Sequence, residues 1–334
     1  MKLAFLSFTD KGFALASSLA KALGGSAMRC GKPDSLQEWT KKQFAESDGL
    51  VFVGAVGIAV RAIAPYIEKK WKDPAVVAVD ECASFAVPLL SGHLGGANSL
   101  ARAIHSVCGA QAVITTATDV NHVFAVDEWA RCQGLWVATP EKIRLISGKL
   151  LAGNTIHIYS RWPVAGEPPH GIELVPDLLA DVSVGMQVEE KTPLFLIPKA
   201  IVLGVGCRKN TPQEVLESVL ERFLQQYALP VEAICCVASI EIKKEEKGLV
   251  DFCRSHGWPF QTCTAGELQA IPGDFTASAF VNQITGVDNV CERSAVAISK
   301  GTLCFRKFAL DGVTMAAAIK PLHLDWNWKL DSFG

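Results

Sequence analysis

The segment 87–104 reads VPLLSGHLGGANSLARAI and sets a histidine among glycines where an apolar run gives way to a helical pattern. His93 follows Ser91 and Gly92 and precedes Gly95, Gly96 and Asn98. An imidazole titrates near neutral pH, so His93 is a candidate general base or acid that could take a proton from water attacking a carbonyl. Glycine flanks cost chain entropy that a functional geometry would offset; a loop histidine with one structural hydrogen bond fits the same letters. The N–H groups at the start of the following helix could receive a developing oxyanion. Asp80 and Glu81, in VAVDECASF, end the preceding apolar run. They could orient His93 or act as its acid partner, or form a solvated turn. Asp119, in TTATDV, ends another apolar run, whereas Asp127 and Trp129, in AVDEWA, read as a helix start and a core aromatic.

Two further glycine junctions resemble this one in design. Gly54-Ala55-Val56-Gly57 leads into a helix carrying Arg61, and Gly204-Val205-Gly206-Cys207-Arg208 follows a strand-like run. In open α/β sheets ligands bind beyond the carboxyl ends of strands, where backbone N–H groups and helix starts favour anions. Neither a GK[ST] ending nor a complete GxGxxG is present. The three junctions together suit a ligand with several carboxylates better than one carrying a single phosphate. Arg61 could hold one such carboxylate or pair with a surface glutamate. Farther on, ASIEIKKEEKGL alternates so that Ser239, Glu241 and Lys243 would share one strand face, either the polar wall of a cleft or a solvated edge. Glu292 opens a helix and could serve its dipole or a substrate.

The elements that must position these residues alternate. KLAFLSF, DGLVFVGAV, AVVAVD, FAVPLL and QAVITTA read as strands, with helical patterns such as KGFALASSLAKAL and ANSLARAIHSVC between them. That is α/β class, with a mostly parallel sheet covered on both faces. Residues 1–138 form the expected first domain. Residues 139–197 are rich in Gly and Pro and read as a small irregular middle module or linker. Residues 198–322 resume the alternation as a second α/β domain, closing on a hairpin that turns at Asp311-Gly312, and 323–334 form a tail. In that domain Thr211, Pro212 and Glu214 read as N-cap, first helical residue and capping box of the helix through Tyr227.

Bulk properties exclude several classes. The 334 residues carry 32 basic and 34 acidic side chains, a net charge of −2, which disfavours a general nucleic-acid binder. Eleven cysteines, an odd number without a CxxC pair, read as reduced thiols in a cytoplasmic protein, with no metal site of the protein's own. No apolar run reaches the roughly 18–20 residues of a membrane span, and the N-terminus reads as a strand and amphipathic helix instead of a signal peptide.

Taken together, GAVGIAVRAIAP, DPAVVAVDECASFAVPLLSGHLGGANSLARAI, AVITTATD, VLGVGCRKNTP, SIEIKKEEKGL and GVDNVCERSA resemble the cobalt-precorrin-5A hydrolase family, called CbiG, of anaerobic cobalamin (vitamin B12) biosynthesis. The resemblance spans nearly the whole chain, and its C-terminal half is similar to the stand-alone CobE protein. Two departures stand out: Val120-Asn121-His122-Val123 follows Asp119 where the family has a nearby glycine, and Arg208-Lys209-Asn210 replaces the usual Arg-Arg-Gly. The resemblance implies a hydrolase acting on a carbon–carbon bond. Its substrate is a cobalt-bearing, methylated tetrapyrrole with acetate and propionate arms, one closed as a ring A δ-lactone onto the meso carbon between rings A and D. Water opens the lactone and the two-carbon fragment leaves as acetaldehyde, giving cobalt-precorrin-5B. Within that reaction the residue readings above make His93, Glu81 and Asp80 the catalytic candidates. On the same readings Gly54, Gly57, Arg61, Ser91, Gly92, Gly95, Gly96, Asn98, Asp119, Gly204, Gly206, Arg208, Ser239, Glu241, Lys243 and Glu292 are the expected substrate contacts. The resemblance implies no cofactor, since the cobalt arrives with the substrate, although His93 as an axial cobalt ligand is a competing idea. Transient contact with neighbouring pathway enzymes is expected. A non-catalytic tetrapyrrole carrier and a nucleotide-dependent α/β enzyme are the alternatives.

Overall fold

In a computed structural model of the chain, described for all residues except 32, 70, 177–179, 187–193, 278–282, 284–285 and 329–334, three larger sheets follow one another along the sequence, beside one two-stranded pair. The first contains β1 (Leu3–Ser7), β2 (Ser26–Arg29), β3 (Gly49–Val53), β4 (Ala75–Val79), β5 (Phe85–Leu90) and β6 (Gln111–Ala112), in the order β2-β1-β3-β4-β5-β6. Successive residues of a strand point to opposite faces, and both faces here are apolar. Leu3 and Phe5 pack under α1 (Asp10–Leu23) and α4 (Ala97–Cys108). Ala4 and Leu6 pack under α2 (Leu36–Glu46) and α3 (Val56–Ile63). This double coverage explains the near-continuous apolar strands, each fully buried Leu, Ile or Phe contributing about 1.5–3 kcal/mol. The α/β class with mostly parallel sheets is borne out.

One reversal in this sheet decides where the site residues go. β4 and β5 are antiparallel, with Val79 opposite Ala86 and Val76 opposite Leu90. The reversing turn is organised by Asp80, whose carboxylate accepts from the N–H groups of Cys82, Ser84 and Phe85 at 2.9, 2.9 and 2.6 Å. Burial opposes ionisation of Asp80, but these hydrogen bonds hold its pKa below the ordinary value. The carboxyl end of β5 therefore lies at the opposite sheet edge from the carboxyl ends of β1, β3 and β4.

The middle stretch is more regular than its Gly and Pro content suggests. After α5 (Ala117–Val120) and α6 (Val126–Cys132) come β7 (Leu135–Val137), α7 (Ile143–Leu151), β8 (Ile156–Ser160), β9 (Val164–Ala165), β10 (Ile172–Leu174), β11 (Val182–Val184) and β12 (Leu194–Pro198). Five of these strands form a sheet in the order β10-β8-β11-β12-β7, parallel except at β7. Its core joins Phe124, Trp129 and Leu135 to Ile156, Val182 and Leu194. The boundary expected at residue 138 thus falls inside a packed unit that takes in α6 and β7. The expected tail returns to the same unit. β18 (Leu324–Asp325) pairs with β9, Trp326 stacks on Trp129 at 5.4 Å, and Trp129 Nε1 donates to the Asp325 carbonyl at 2.6 Å. Residues 329–334 of that tail lie outside the described residues.

The C-terminal sheet contains β13 (Ile201–Cys207), β14 (Ile234–Ile240), β15 (Phe260–Cys263), β16 (Thr302–Leu310) and β17 (Val313–Ile319) in the order β15-β14-β13-β17-β16. The first three strands are parallel, and the hairpin β16–β17 turns at Asp311-Gly312 as expected, both residues having positive φ. The helices α8 (Gln213–Tyr227) and α9 (Lys247–Ser255) cover one face, α10 (Ala265–Ala270) follows β15, and α11 (Cys291–Ser299) covers the other face. The expected capping box of α8 does not form. Pro212 occupies the N-cap position without a side-chain cap, and the Thr211 hydroxyl donates to the Arg208 carbonyl at 2.8 Å. Among the described residues no helix is long and apolar enough to cross a membrane, and all eleven cysteines are unbridged thiols.

Candidate active site

The loop between β5 and α4 is built by its own glycines. Gly96 takes a left-handed conformation, φ 86°, at the N-cap of α4. A Cβ on Gly92 would meet Asn98 Oδ1 at 3.0 Å, and one on Gly95 would meet the Ser91 carbonyl oxygen at 2.9 Å. The Ser91 hydroxyl donates to the Asp73 carbonyl at 2.9 Å and ties the loop to the chain before β4. The N–H groups of Gly96, Ala97 and Asn98 donate to the carbonyls of His93, Ser91 and Gly92 at 2.9, 3.1 and 2.9 Å. These three donors are committed to the loop, so the oxyanion-receiving role expected of this helix start is not open to them.

His93 lies between two carboxylates. Its Nε2 is 2.7 Å from Asp119 Oδ2 in α5, and its Nδ1 is 3.1 Å from Asp127 Oδ1 in the first turn of α6. The Asn98 amide donates to Asp119 Oδ2 at 3.1 Å and to the Thr116 hydroxyl at 2.9 Å. Arg102 bridges Asp119 and, at 3.4 Å, Glu128 Oε1. Arg131 donates to Ser99 Oγ at 2.6 Å and sits 3.7 Å from Glu128 Oε1. His93, Arg102 and Arg131 thus face Asp119, Asp127 and Glu128 in a charge-matched cluster, with the His93 side chain only 9% exposed and that of Glu128 only 1%.

Burial works against a charged imidazole, but the hydrogen bonds of Asp119 and Asp127 and the nearby carboxylate charges outweigh it and raise the His93 pKa to about 10. Asp119 is held below its ordinary value by His93 and Arg102 against the opposing effect of burial, while burial raises Glu128. This corrects the resting base role expected of His93. An imidazolium with both N–H groups donated to carboxylates has no lone pair for water. His93, Asp119 and Glu128 bring metal-ligand atoms within 4.8 Å of one another, and Glu128 Oε2 is buried with no hydrogen-bond partner among the described residues. Yet Arg102 already sits on both carboxylates and both ring nitrogens are taken, so a cation there would have to displace the cluster's own charges.

The other two catalytic candidates are elsewhere. Asp80 and Glu81 follow the carboxyl end of β4, at the sheet edge opposite His93, because β5 runs back antiparallel. They do not orient His93. Asp80 is spent on its turn, and Glu81 Oε2 accepts from the Thr9 hydroxyl at 2.7 Å on the exposed edge. Gly54 and Gly57 share that edge, beyond β3. A Cβ on Gly54 would press on the Phe8 ring at 2.7 Å, a packing requirement, and Arg61 donates to the Gly57 carbonyl at 3.2 Å.

The C-terminal unit holds a cavity of about 1020 Å³ beyond the carboxyl ends of β13 and β14. Of the candidates in this unit, Gly206, Arg208 and Lys243 line it. The remaining candidates do not, and each has a structural occupation. A Cβ on Gly204 would collide with the Cys291 carbonyl oxygen, so this glycine admits α11 against β13. Ser239 is buried and donates to the Val205 carbonyl at 2.7 Å. Glu241 begins a 3-10 turn, Glu241–Lys243, which breaks the expected shared strand face. Glu292 is fully buried and accepts from Thr276, Asn289 and the Lys307 backbone at 2.7–2.9 Å.

Sequence reasoning missed Arg102, Asp127, Glu128 and Arg131. The available signal was the acidic pair Asp127-Glu128 set between buried Val126 and Trp129, an apolar frame in which carboxylates need partners.

Two family models match the chain: one described as cobalamin synthesis G N-terminal over residues 38–119, the other as cobalamin synthesis G C-terminus over residues 201–318. The cobalt-precorrin-5A hydrolase of Salmonella typhimurium is 32% identical over 348 residues, covering 95% of this chain and 97% of that protein. The chain belongs to the cobalt-precorrin-5A hydrolase family. The enzyme of that name from Priestia megaterium is 28% identical, covering 83% of this chain and 80% of its own. A solved structure of a cobalamin biosynthesis protein G homolog from Sulfolobus solfataricus is 22% identical and covers 96% of this chain and 97% of its own, with a TM-score of 0.43. In this member of the cobalt-precorrin-5A hydrolase family, His93, Asn98, Arg102 and Asp119 fall inside the N-terminal match and the cavity's Arg208 and Lys243 inside the C-terminal one. Asp127, Glu128 and Arg131 lie between the two.

Proposed function

We propose that this chain hydrolyses cobalt-precorrin-5A in cobalamin biosynthesis. The observation that carries this reading is the end-to-end similarity to a cobalt-precorrin-5A hydrolase, which embraces both the His93 cluster and the C-terminal cavity. The cavity supports it physically, lying at the upper end of the ~300–1,000 Å³ typical of small-molecule sites. Water adds to the ring A lactone carbonyl and the acyl–oxygen bond breaks, leaving a carboxylate and a hydroxyl. The hydroxyl then loses its proton, its oxygen becomes a carbonyl, and the electron pair of the broken carbon–carbon bond passes to the macrocycle as acetaldehyde departs. The cobalt is substrate, and the protein needs no metal of its own in this scheme.

The roles we propose differ from those expected of the sequence, and the hydrogen bonds of His93 support the change. His93 acts as the cation that locks the loop 91–96 to α5 and α6. Proton transfer falls to a carboxylate with free lone pairs, and among the three catalytic candidates Glu81 keeps one. Gly57 and Arg61 on the same edge, and Gly206, Arg208 and Lys243 at the cavity, are the substrate contacts we retain. Unbridged thiols suit a cytoplasmic setting, where transient contact with neighbouring pathway enzymes would pass on unstable intermediates.

Anaerobic incubation of the purified chain with excess cobalt-precorrin-5A, trapping volatile aldehyde, tests the reading. Many equivalents of acetaldehyde per protein are expected, with the matching mass loss in the macrocycle. Stoichiometric binding without aldehyde would overturn the hydrolase in favour of a carrier.

A further inference from the structure

We infer that the C-terminal cavity recognises the carboxylate arms of a tetrapyrrole through Arg208, Lys209 and Lys307, with Lys307 aimed there by a β-bulge. This deepens the proposed function and rests on it for the identity of the macrocycle. Five cationic side chains line the cavity. Two have partners: Lys243 pairs with Glu246 at 2.9 Å and Lys247 with Asp251 at 2.5 Å. Among the described residues, the side chains of Arg208, Lys209 and Lys307 have no ion pair or hydrogen bond. Of the lining carboxylates, Glu246 is engaged by Lys243 and Asp288 by Arg293 at 2.7 Å, leaving Glu245 and Asp311.

The position of Lys307 is built. Along β16, Phe305 opposes Ala317 of β17 and Phe308 opposes Met315, so three steps on one strand match two on the other. The extra residue lets Phe305 and Phe308 both pack into the core under α8, whereas strict alternation would send Lys307 to the same face as Phe305. A bulge leaves ladder N–H groups unpaired. Here the Lys307 N–H donates to Glu292 Oε1 at 2.8 Å, and Glu292 is fully buried, held by Thr276 and Asn289 as well. Glu292 is therefore a positioning residue, fixing the irregularity that turns Lys307 into the cavity. Just beyond β13, Arg208 lies against Gly312, where a Cβ would meet its Nε at 2.9 Å. The hairpin turn thus leaves room for the guanidinium at the rim. Ile240, Ile242, Val290 and Leu310 supply apolar wall between these cations, and Ile242 is 62% exposed. An apolar surface edged by unpaired cations fits a broad apolar ring system with acidic arms.

The test uses the full chain and uroporphyrin I, a stable tetrapyrrole octacarboxylate, with binding read by quenching of protein fluorescence. The wild type is expected to bind, more weakly as salt rises. Lys307→Met and Arg208→Met should each weaken binding about tenfold, the loss of one charge-assisted contact, and Lys307→Arg should restore most of it. Unaltered far-ultraviolet circular dichroism and melting temperature show that each variant is folded. No binding by the wild type, or equal binding by folded Lys307→Met, overturns the inference. If the variants lose uroporphyrin while the wild type releases no aldehyde from cobalt-precorrin-5A, the cavity assignment stands and the hydrolase reading fails. If the wild type turns over and Lys307→Met leaves KM unchanged, the reverse holds.

Discussion

At the scale of the residue, His93 shows how far a side chain's neighbours can move it from its type. The sequence invites a base because imidazole titrates near neutrality; Asp119 and Asp127 make it a cation instead. The sign of the resulting pH dependence follows. The folded-state pKa, about 10, stands above the ordinary 6.5, so the stabilisation from charged His93 is complete below pH 6.5 and is lost as pH rises through about 10. His93→Asn should cost about 3 kcal/mol at neutral pH, because it leaves Asp119 and Asp127 facing Arg102, Arg131 and Glu128 without their central cation. The gap between wild type and variant, measured by urea midpoints across this range, should shrink towards pH 10. A gap that grows with pH would contradict the clamp. That the loop is special was legible in SGHLGGAN, but Asn98 and Asp119 were expected as substrate contacts, whereas Asp119 accepts from both His93 and Asn98. The loop's partners in α6 were not legible, because nothing local in AVDEWA shows that a helix some thirty residues away in the chain returns to the loop.

Elements were the most legible scale where apolar runs were continuous. β1, β3, β4 and β13 are buried along their first five residues and read as buried strands from sequence. Orientation was not legible. Whether β5 runs with or against β4 is decided by a five-residue turn held by one carboxylate, Asp80, and this alone moved Asp80 and Glu81 to the edge opposite His93. Alternation also failed at Glu241, where the chain leaves the strand for a 3-10 turn, and at Lys307, where a bulge reverses the faces. The glycine junctions divide by cause. Gly96 answers a left-handed backbone, while Gly204 answers close helix packing. Gly204→Ala should therefore destabilise the C-terminal unit by about 3 kcal/mol or more, since a backbone carbonyl of α11 cannot swing aside as a side chain could. Calorimetry of the purified variant checks this; a melting temperature equal to wild type would mean that α11 can shift at no cost.

At the scale of the whole molecule, the described residues form three larger sheets in series, with the C-terminal stretch returning to the middle unit through the small β9–β18 pair, Trp326 and Asp325. That return was invisible locally, because DWNWKL carries no pattern naming its partner. The N-terminal unit supplies an exposed edge with Gly57, Arg61 and Glu81, and the C-terminal unit supplies a large cavity with unpaired cations. The His93 cluster ties the first unit to the helix that founds the middle one. We propose that these parts serve one reaction, the addition of water to a lactone carbonyl followed by loss of two carbons. The most direct test is to run cobalt-precorrin-5A with the enzyme under anaerobic conditions in water labelled with heavy oxygen and to weigh the macrocycle by mass spectrometry. Attack at the acyl carbon predicts a product two carbons lighter that carries one heavy oxygen in its newly freed acetate. An unlabelled macrocycle, or one that keeps its two-carbon fragment, would contradict that mechanism.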